Sequence, residues 1–230
     1  MNKVIVWFRN DLRLHDNPAL HHAITAGHNI IPIYIHDPRL SPWHNGAASN
    51  WWLHHSLASL RESLEKKGSQ LFLFSGAPAD ILNKLVQATG ALAVYANRRY
   101  EPLQEEEDKH VALQLNNVGS SLISFHGNLL NEPEMVKNKS GQPYKVFTPY
   151  YKAVMALGLN CNTLAVPESI ETATVDINSD TLQQLQLLPN INWYEKISRY
   201  WKPGEASALS QMDEFIHSSL KQYPVKRDIP

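Results

Sequence analysis

The chain has 230 residues, 43% of them hydrophobic and 19% charged, with a formal net charge of −1 at pH 7. This composition is that of a soluble globular protein with one sizeable core, and the near-zero charge excludes a chain-wide basic surface for nucleic acid. If DNA is a partner, most of the positive surface must lie elsewhere. The single cysteine, Cys161, excludes an internal disulfide and, with no signal peptide at the start, predicts a cytoplasmic location.

Neither a membrane nor a metal is expected as a partner. No apolar run approaches the roughly 20 residues that span a bilayer. The eleven histidines include the adjacent pairs His21-His22 and His54-His55, and adjacent helical residues point to different sides. No cysteine or spaced histidine completes a metal site. Solvated or packed histidines are the simpler interpretation.

Apolar runs alternate with longer segments of helical period, which predicts repeated βα units. Asn17 is a good cap for the first helix, with Pro18 in its first turn. Acidic residues 105–108 open the fourth helix and are interpreted as solvated. Five strands and four crossovers predict a Rossmann-like, doubly wound five-stranded parallel sheet. The predicted strands are Val4 to Phe8, Ile30 to Ile35, Leu71 to Phe74, Leu92 to Ala96 and Leu122 to Phe125.

After Gly127 the pattern changes to a long stretch rich in proline, with one short helical candidate, Tyr150 to Leu157. Such a segment is usually a functional loop or an interdomain connection. An amphipathic helix follows over about Ala206 to Leu220 and is typical of the opening of a further domain. We therefore expect an α/β domain over 1–130, a long connector over 131–200, and over 201–230 the first helix of an absent helical domain.

Ligands of open parallel sheets bind beyond the carboxyl ends of the strands. This rule nominates residues 9–12 after strand one, 36–37 after strand two, 97–101 after strand four and His126 after strand five. Glycine-rich phosphate loops are absent, so a nucleotide held in that way is not expected. The alternative for residues 9–17 is a surface turn whose charges pair with each other and cap the next helix.

Seven stretches of the chain carry a family resemblance: VWFRNDLRLHDNPAL, GAASNWWLHHSLASL, NRRYEP, FHGNLL, GQPYKVFTPYYKA, WKPGEASAL and YPVKRDIP. In order and spacing they resemble the DNA photolyase and cryptochrome family, and their wording is most similar to the bacterial photolyases related to plant cryptochromes. The resemblance implies a light-driven deoxyribodipyrimidine photolyase, a carbon-carbon lyase of DNA repair. Its FAD lies in a helical C-terminal domain, and its α/β domain can hold an antenna chromophore.

The resemblance also implies what the 230 residues lack. The chain ends before the flavin-phosphate motif of the family, so the isolated chain is expected neither to bind FAD tightly nor to repair damaged DNA. Tyr223 matches a tyrosine that contacts FAD, and Arg227 matches an arginine on the DNA-binding side.

The antenna residues follow partly from the strand ends and partly from the resemblance. His44 and Asn45 match a His-Asn step near the antenna of folate-binding members. Gln104 stands where such members have a glutamate, and its amide can hydrogen-bond a pterin without the charge. Methenyltetrahydrofolate is favoured, while a deazaflavin, another flavin or an empty site stay open. The candidates are Arg9, Asn10, Asp11, Leu12, His36, His44, Asn45, Trp51, Glu101 and Gln104.

Two alternatives to a photolyase stay open at the level of sequence. A cryptochrome photoreceptor shares the fold, and the residues that separate the two lie beyond Pro230. A stand-alone, non-catalytic ligand-binding α/β module is a different class, and the exposed apolar stripe of the last helix argues against it.

Overall fold

A five-stranded, all-parallel sheet forms the centre of the computed structural model, which describes residues 2–38, 45–159 and 162–228. The strand order is β3-β2-β1-β4-β5, which confirms the predicted Rossmann-like sheet. The order reverses between β1 and β4, so their carboxyl ends flank the crevice where such sheets bind ligands. The strands are β1 (Lys3–Phe8), β2 (Asn29–His36), β3 (Phe72–Ser75), β4 (Ala93–Asn97) and β5 (Leu122–Phe125).

Helices cover both faces of the sheet, as a doubly wound fold requires. Side chains of a strand alternate between the two faces, so Val4 and Val6 of β1 join one core cluster while Ile5 and Trp7 join the other. The first two helices pack on the first cluster and the next two on the second. These helices are α1 (Pro18–Thr25), α2 (Ala47–Glu65), α3 (Pro78–Thr89) and α4 (Pro102–Asn117).

The segment predicted as a connector contributes to the core of the α/β unit at its far end. Thr172 pairs with Ile30 of β2, and Asp180 pairs with Leu73 of β3. Five apolar side chains of this stretch are buried in the two core clusters. They are Ile170, Ala173, Leu182, Leu185 and Leu187. The stretch is irregular in local structure, yet it covers the side of the sheet formed by β2 and β3.

Helix α5 (Phe147–Leu157) begins three residues before its predicted start at Tyr150. The predicted start left Pro149 outside the helix, but a proline in the first turn of a helix lacks only an N–H that has no helical acceptor. A short helix, α6 (Glu195–Ser198), follows later in the same part of the chain.

The helix predicted over Ala206 to Leu220 is not one regular helix. Helix α7 (Glu205–Glu214) continues into a π-helical turn over Phe215–Ser219 and a 3-10 turn over Leu220–Gln222, before α8 (Tyr223–Lys226). The Ser218 hydroxyl donates to the carbonyl of Glu214 at 2.6 Å. Such a bond competes with the regular helical ladder and widens the turn.

The apolar side chains of the last helical segment are exposed. They are Leu209, Met212, Phe215, Ile216 and Leu220. Within the described ranges, no helix is both long and apolar enough to cross a membrane.

The buried helix faces predict where the core is sensitive. Leu82 of α3 is fully buried, while Leu113 of α4 is 58% exposed. We expect Leu82→Ala to lower the free energy of unfolding by about 2–5 kcal/mol, because it leaves a cavity in a packed interior. The matched change Leu113→Ala should stay within about 0.5 kcal/mol. Chemical denaturation of the two variants measures this, and equal losses would contradict the assignment of the core.

Candidate functional site

Arg9 directly follows β1 and is buried at the carboxyl edge of the sheet. Its backbone N–H donates to Asp11 Oδ1 at 2.7 Å, and its Nη1 donates to Asp108 Oδ1 at 2.7 Å. Its Nη2 donates to the carbonyl of Asn97, and its guanidinium lies 4.7 Å from the centre of the Trp7 ring. The alternative of a surface turn is therefore wrong for Arg9 and Asp11, which are buried, although the Arg9 N–H does pair with Asp11.

Asn97, the last residue of β4, joins this end of the sheet to the β1–α1 loop. Its Nδ2 donates to Asp11 Oδ2 and, at 2.9 Å, to Asn17 Oδ1. Its Oδ1 accepts the N–H of Ala19 at 3.0 Å. Asn17 Oδ1 also caps α1 by accepting the N–H of Leu20 at 3.2 Å, as the sequence predicts. The polar side chain at the strand end thus holds both the loop and the start of the next helix.

The remaining charged residues of this loop have structural contacts. Arg13 donates to the carbonyls of Asp16 and Gly127, each at 3.0 Å, and to the carbonyl of His15 at 3.1 Å. Asp16 has a φ of +49°. These carbonyl contacts brace the turn before α1, so the capped-turn interpretation holds for this half of the loop.

A second arginine, Arg99, also lies over the ring of Trp7. Its guanidinium is 5.4 Å from the Trp7 ring centre, and its Nη2 donates to Glu107 Oε2 at 2.7 Å and to Asp108. Glu107 and Asp108 were expected to be solvated, but their side chains are only 10% and 14% exposed. Sequence analysis missed that the first turns of α4 face two buried guanidinium groups.

The acids of α4 decide the charge of this cluster. Burial lowers the pKa of Arg9, and the positive charge of Arg99 lowers it further, against the opposing charges of Asp108 and Asp11. Burial also acts to lower the pKa of Arg99, but the hydrogen bonds and charges of Asp108 and Glu107 outweigh it and raise the pKa. Both arginines are paired with carboxylates, so the cluster presents little free positive charge to a ligand.

A cavity of about 320 Å³ opens beside this cluster. We call it the rim cavity. It lies at the carboxyl ends of β1 and β2 and extends to α4. Its walls include Trp7, Asn10, Tyr34, His36, Arg99 and Gln104.

Several residues that line the rim cavity carry a buried side-chain atom with no hydrogen-bond partner among the described residues. These atoms are the donors Trp7 Nε1, Arg9 Nε and Arg99 Nε, and the acceptors Asn50 Oδ1 and Gln104 Oε1. Buried polar groups are normally paired. The residues of the wall thus include both donors and acceptors that lack partners.

Two titratable side chains of the rim cavity are held in their neutral forms. Burial raises the pKa of Tyr34 to about 12. Burial lowers the pKa of His36, against the charge of Asp37. At neutral pH the cavity therefore presents a phenol and an uncharged imidazole.

Two further cavities adjoin the rim cavity. The α7 cavity, of about 500 Å³, is lined by Leu12, Trp52 and Leu53 and, at the start of α7, by residues 204, 205, 208 and 209. The loop cavity, of about 590 Å³, is lined by Asn97, Glu101 and neighbouring residues. Arg9 and Asn10 line all three cavities.

The structure brings most of the sequence-predicted antenna residues to these cavities. Asp11 lines the α7 and loop cavities, and Asn45 lines the rim and α7 cavities. Gln104 lines the rim and loop cavities. Three further predicted residues line one cavity each: Leu12 lines the α7 cavity, His36 the rim cavity and Glu101 the loop cavity.

Trp51 is not brought to any of these three cavities. Its ring is buried and lies 5.9 Å from the Tyr194 ring and 4.8 Å from the His55 ring, centre to centre. Trp52, one residue later and about 100° further round the helix, lines the α7 cavity instead. The adjacent residues Trp51 and Trp52 did not indicate from sequence alone which of the two rings faces the cavities.

Three other predicted residues lie apart from the cavities. His44 falls outside the described residues. Tyr223 and Arg227 are exposed at the end of the described chain and line none of the three cavities. Tyr223 contacts the ring of Phe215 edge-on, with the ring centres 5.8 Å apart.

Among the cavity residues that sequence analysis missed are Trp7 and Tyr34, which lie inside strands. Both were assigned to β1 and β2 as core residues, and the polar N–H and O–H groups of their side chains were the only signal that they line a cavity.

Over the described parts of the chain, no group of three or more His, Cys, Asp and Glu side chains is arranged to hold a metal.

The fold and the cavities together define a Rossmann-type α/β domain with cavities at the carboxyl ends of its central strands. The family model described as DNA photolyase matches residues 4–171. The chain therefore belongs to the DNA photolyase family.

Relatives of this family resemble the chain along nearly its whole length. It is 43% identical to a deoxyribodipyrimidine photo-lyase of Agrobacterium fabrum over 99% of the chain and 47% of that protein. It is 33% identical to cryptochrome-2 of Arabidopsis thaliana over 96% of the chain and 37% of that protein. The crystal structure of a class III photolyase from Agrobacterium tumefaciens matches with a TM-score of 0.92 and 42% identity, over 100% of this chain and 47% of that one. The chain thus spans less than half the length of these relatives.

The hydrogen bonds of Asn97 predict that its side chain stabilises the end of the sheet at which the cavities lie. Asn97→Ala leaves Asp11 Oδ2 and the Ala19 N–H without their buried partner, which should lower the free energy of unfolding by about 3 kcal/mol. The control Asn116→Ala changes an exposed asparagine of α4 and should cost under about 0.5 kcal/mol. Urea denaturation compares them, and a loss under about 1 kcal/mol for Asn97→Ala would contradict this role.

Proposed function

We propose that this chain is the N-terminal, antenna-bearing part of a light-driven deoxyribodipyrimidine photolyase. The observation that carries the proposal is its 43% identity to a deoxyribodipyrimidine photo-lyase over 99% of the chain. In the whole enzyme, FAD is bound outside the α/β domain, and its reduced, photoexcited form supplies the electron that splits cyclobutane pyrimidine dimers. Damaged DNA is the substrate, and the cytoplasm is the proposed location.

Methenyltetrahydrofolate is the antenna chromophore that we propose for this domain. A pterin ring carries an amide and an amino group, so it both donates and accepts hydrogen bonds. The rim cavity is lined by Trp7, Asn50 and Gln104, whose unpartnered Nε1, Oδ1 and Oε1 atoms complement such a ring. The cavity volume of about 320 Å³ is at the lower end of the range for small-molecule sites, and the adjoining α7 cavity offers room for the rest of a folate.

The pairing of the arginines supports a folate over a phosphorylated flavin. A flavin phosphate is normally held by free guanidinium groups or by backbone N–H groups of a glycine-rich loop. Here the Nη donors of Arg9 and Arg99 bind Asp108, Glu107 and a backbone carbonyl. A phosphate would have to displace these carboxylates.

The C-terminal residues fit the proposed enzyme without testing it. Tyr223 and Arg227 are exposed, so both are accessible to groups outside the chain. We assign Tyr223 to an FAD contact and Arg227 to DNA, on the strength of the family resemblance. The proposed division into 1–130, 131–200 and 201–230 is likewise a prediction.

Cryptochrome is the second candidate function, favoured by the 33% identity to cryptochrome-2. The two functions differ in whether the photoreduced flavin repairs DNA. We expect the full-length protein that contains this chain to remove cyclobutane dimers from an oligonucleotide under blue light and not in darkness. Chromatography of the irradiated oligonucleotide measures the repair. Flavin photoreduction without loss of dimers would favour the cryptochrome.

The folate proposal is tested by binding to the purified chain. We expect methenyltetrahydrofolate to bind, with a red-shifted near-ultraviolet absorption band as the readout. Gln104→Ala should weaken binding by up to about tenfold, because one neutral hydrogen bond is lost. The control Gln87→Ala alters an exposed residue of α3 and should leave the dissociation constant unchanged. Binding of a deazaflavin or flavin in place of the folate would contradict the proposed chromophore.

A further inference from the structure

Glu205, the first residue of α7, reaches across to the loop between β1 and α1. Its Oε2 accepts the backbone N–H of Leu14 at 2.9 Å, and its Oε1 accepts that of His15 at 2.7 Å. Both carboxylate oxygens are therefore used on residues 190 or 191 positions away in the chain. Hydrogen bonds from N–H groups to a carboxylate are stronger than neutral ones.

Gly204, the residue before, fixes how closely α7 approaches α2. Its φ is +120°, and an added Cβ would lie 2.7 Å from the Cβ of Ser59 in α2. No larger residue fits there without moving one of the two helices, because the obstacle includes the stem of the neighbouring side chain. The start of α7 is thus held from two directions, by α2 and by the β1–α1 loop.

These two contacts lie at the edge of the α7 cavity. Gly204, Glu205 and Leu209 line this cavity together with Leu12 of the loop and Trp52 of α2. The loop that Glu205 holds continues directly from residues 9–12, which line the cavities. If the start of α7 moved away, the α7 cavity would lose a wall, and the loop would lose its acceptor for two N–H groups.

We propose that Gly204 and Glu205 form a clasp that closes the α7 cavity, and that the closed clasp retains the ligand bound there. The retention part rests on the proposed function, which supplies the folate. Glu205 is a positioning residue, because it acts through the loop and the helix and not through the chromophore. Coupling between two sites is reciprocal. Ligand binding must therefore favour the closed clasp by the same factor by which the closed clasp favours the ligand.

The first experiment measures the clasp in the ligand-free 230-residue chain. Glu205→Gln keeps the shape but turns an amide NH₂ toward one backbone N–H. We expect hydrogen exchange at Leu14 and His15 to rise by at least about tenfold. The control Glu214→Gln changes an exposed acid at the other end of α7 and should leave the exchange rates unchanged. Unchanged exchange at Leu14 and His15 in Glu205→Gln would overturn the clasp.

A second variant distinguishes opening of the clasp from a general loss of folding. Gly204→Ala leaves the carboxylate intact but pushes α7 from α2, so it should raise exchange at the same two amides. Circular dichroism and the thermal midpoint show whether each variant is folded. An effect confined to Leu14, His15 and α7, with the sheet amides still protected, supports the clasp, whereas a uniform rise across the sheet in both variants would overturn it.

The second experiment measures coupling with methenyltetrahydrofolate as the probe. Glu205→Gln should weaken its binding by about tenfold, and the probe should slow exchange at Leu14 and His15 in the wild-type chain by a similar factor. Faster exchange with unchanged affinity would overturn the retention part and leave a purely structural contact. Failure of the wild-type chain to bind the folate would instead contradict the proposed chromophore, while the exchange experiment still decides the clasp.

Discussion

The buried hydrogen bonds among Asp11, Asn97 and Asn17 are the constraint on which the site depends. They tie the end of β4 to the loop that leaves β1, at the point where the order of strands reverses. A polar side chain in this position would be costly if it lacked partners. Because each amide and carboxylate of the three is paired, the loop is held against the end of β4, and α1 begins where the Asn17 cap places it.

In the charge cluster beside this network, the carboxylates offset the positive charges of the two arginines. Two guanidinium groups lie near the Trp7 ring, and Asp108 accepts from both of them. Burial of unpaired arginines would be far more costly than burial of this paired set. The result is a rim cavity lined by paired arginines and by the neutral side chains of Tyr34 and His36.

Segments far along the chain complete the domain that the first 125 residues begin. Residues 170–187 cover the side of the sheet at β2 and β3 with five buried apolar side chains. Glu205 then returns to the β1–α1 loop. The α/β unit and the start of α7 are therefore joined by specific contacts and not only by the chain between them. One wall of the α7 cavity comes from the start of α7.

The five strands, the covered faces of the sheet, the Asn17 cap and the family could be predicted from the sequence, since these depend on local pattern and on motifs read in order. Tertiary structure alone decided that Trp52 and not Trp51 lines a cavity, and that Glu107 and Asp108 face arginines instead of water. It also decided that residues 170–187 are core and that Glu205 binds a distant loop. The physical reason is that these features depend on which groups meet across the fold. Burial and the pairing of charges depend on these tertiary contacts, and neither the hydrophobic period nor the residue types along the chain indicate which contacts form.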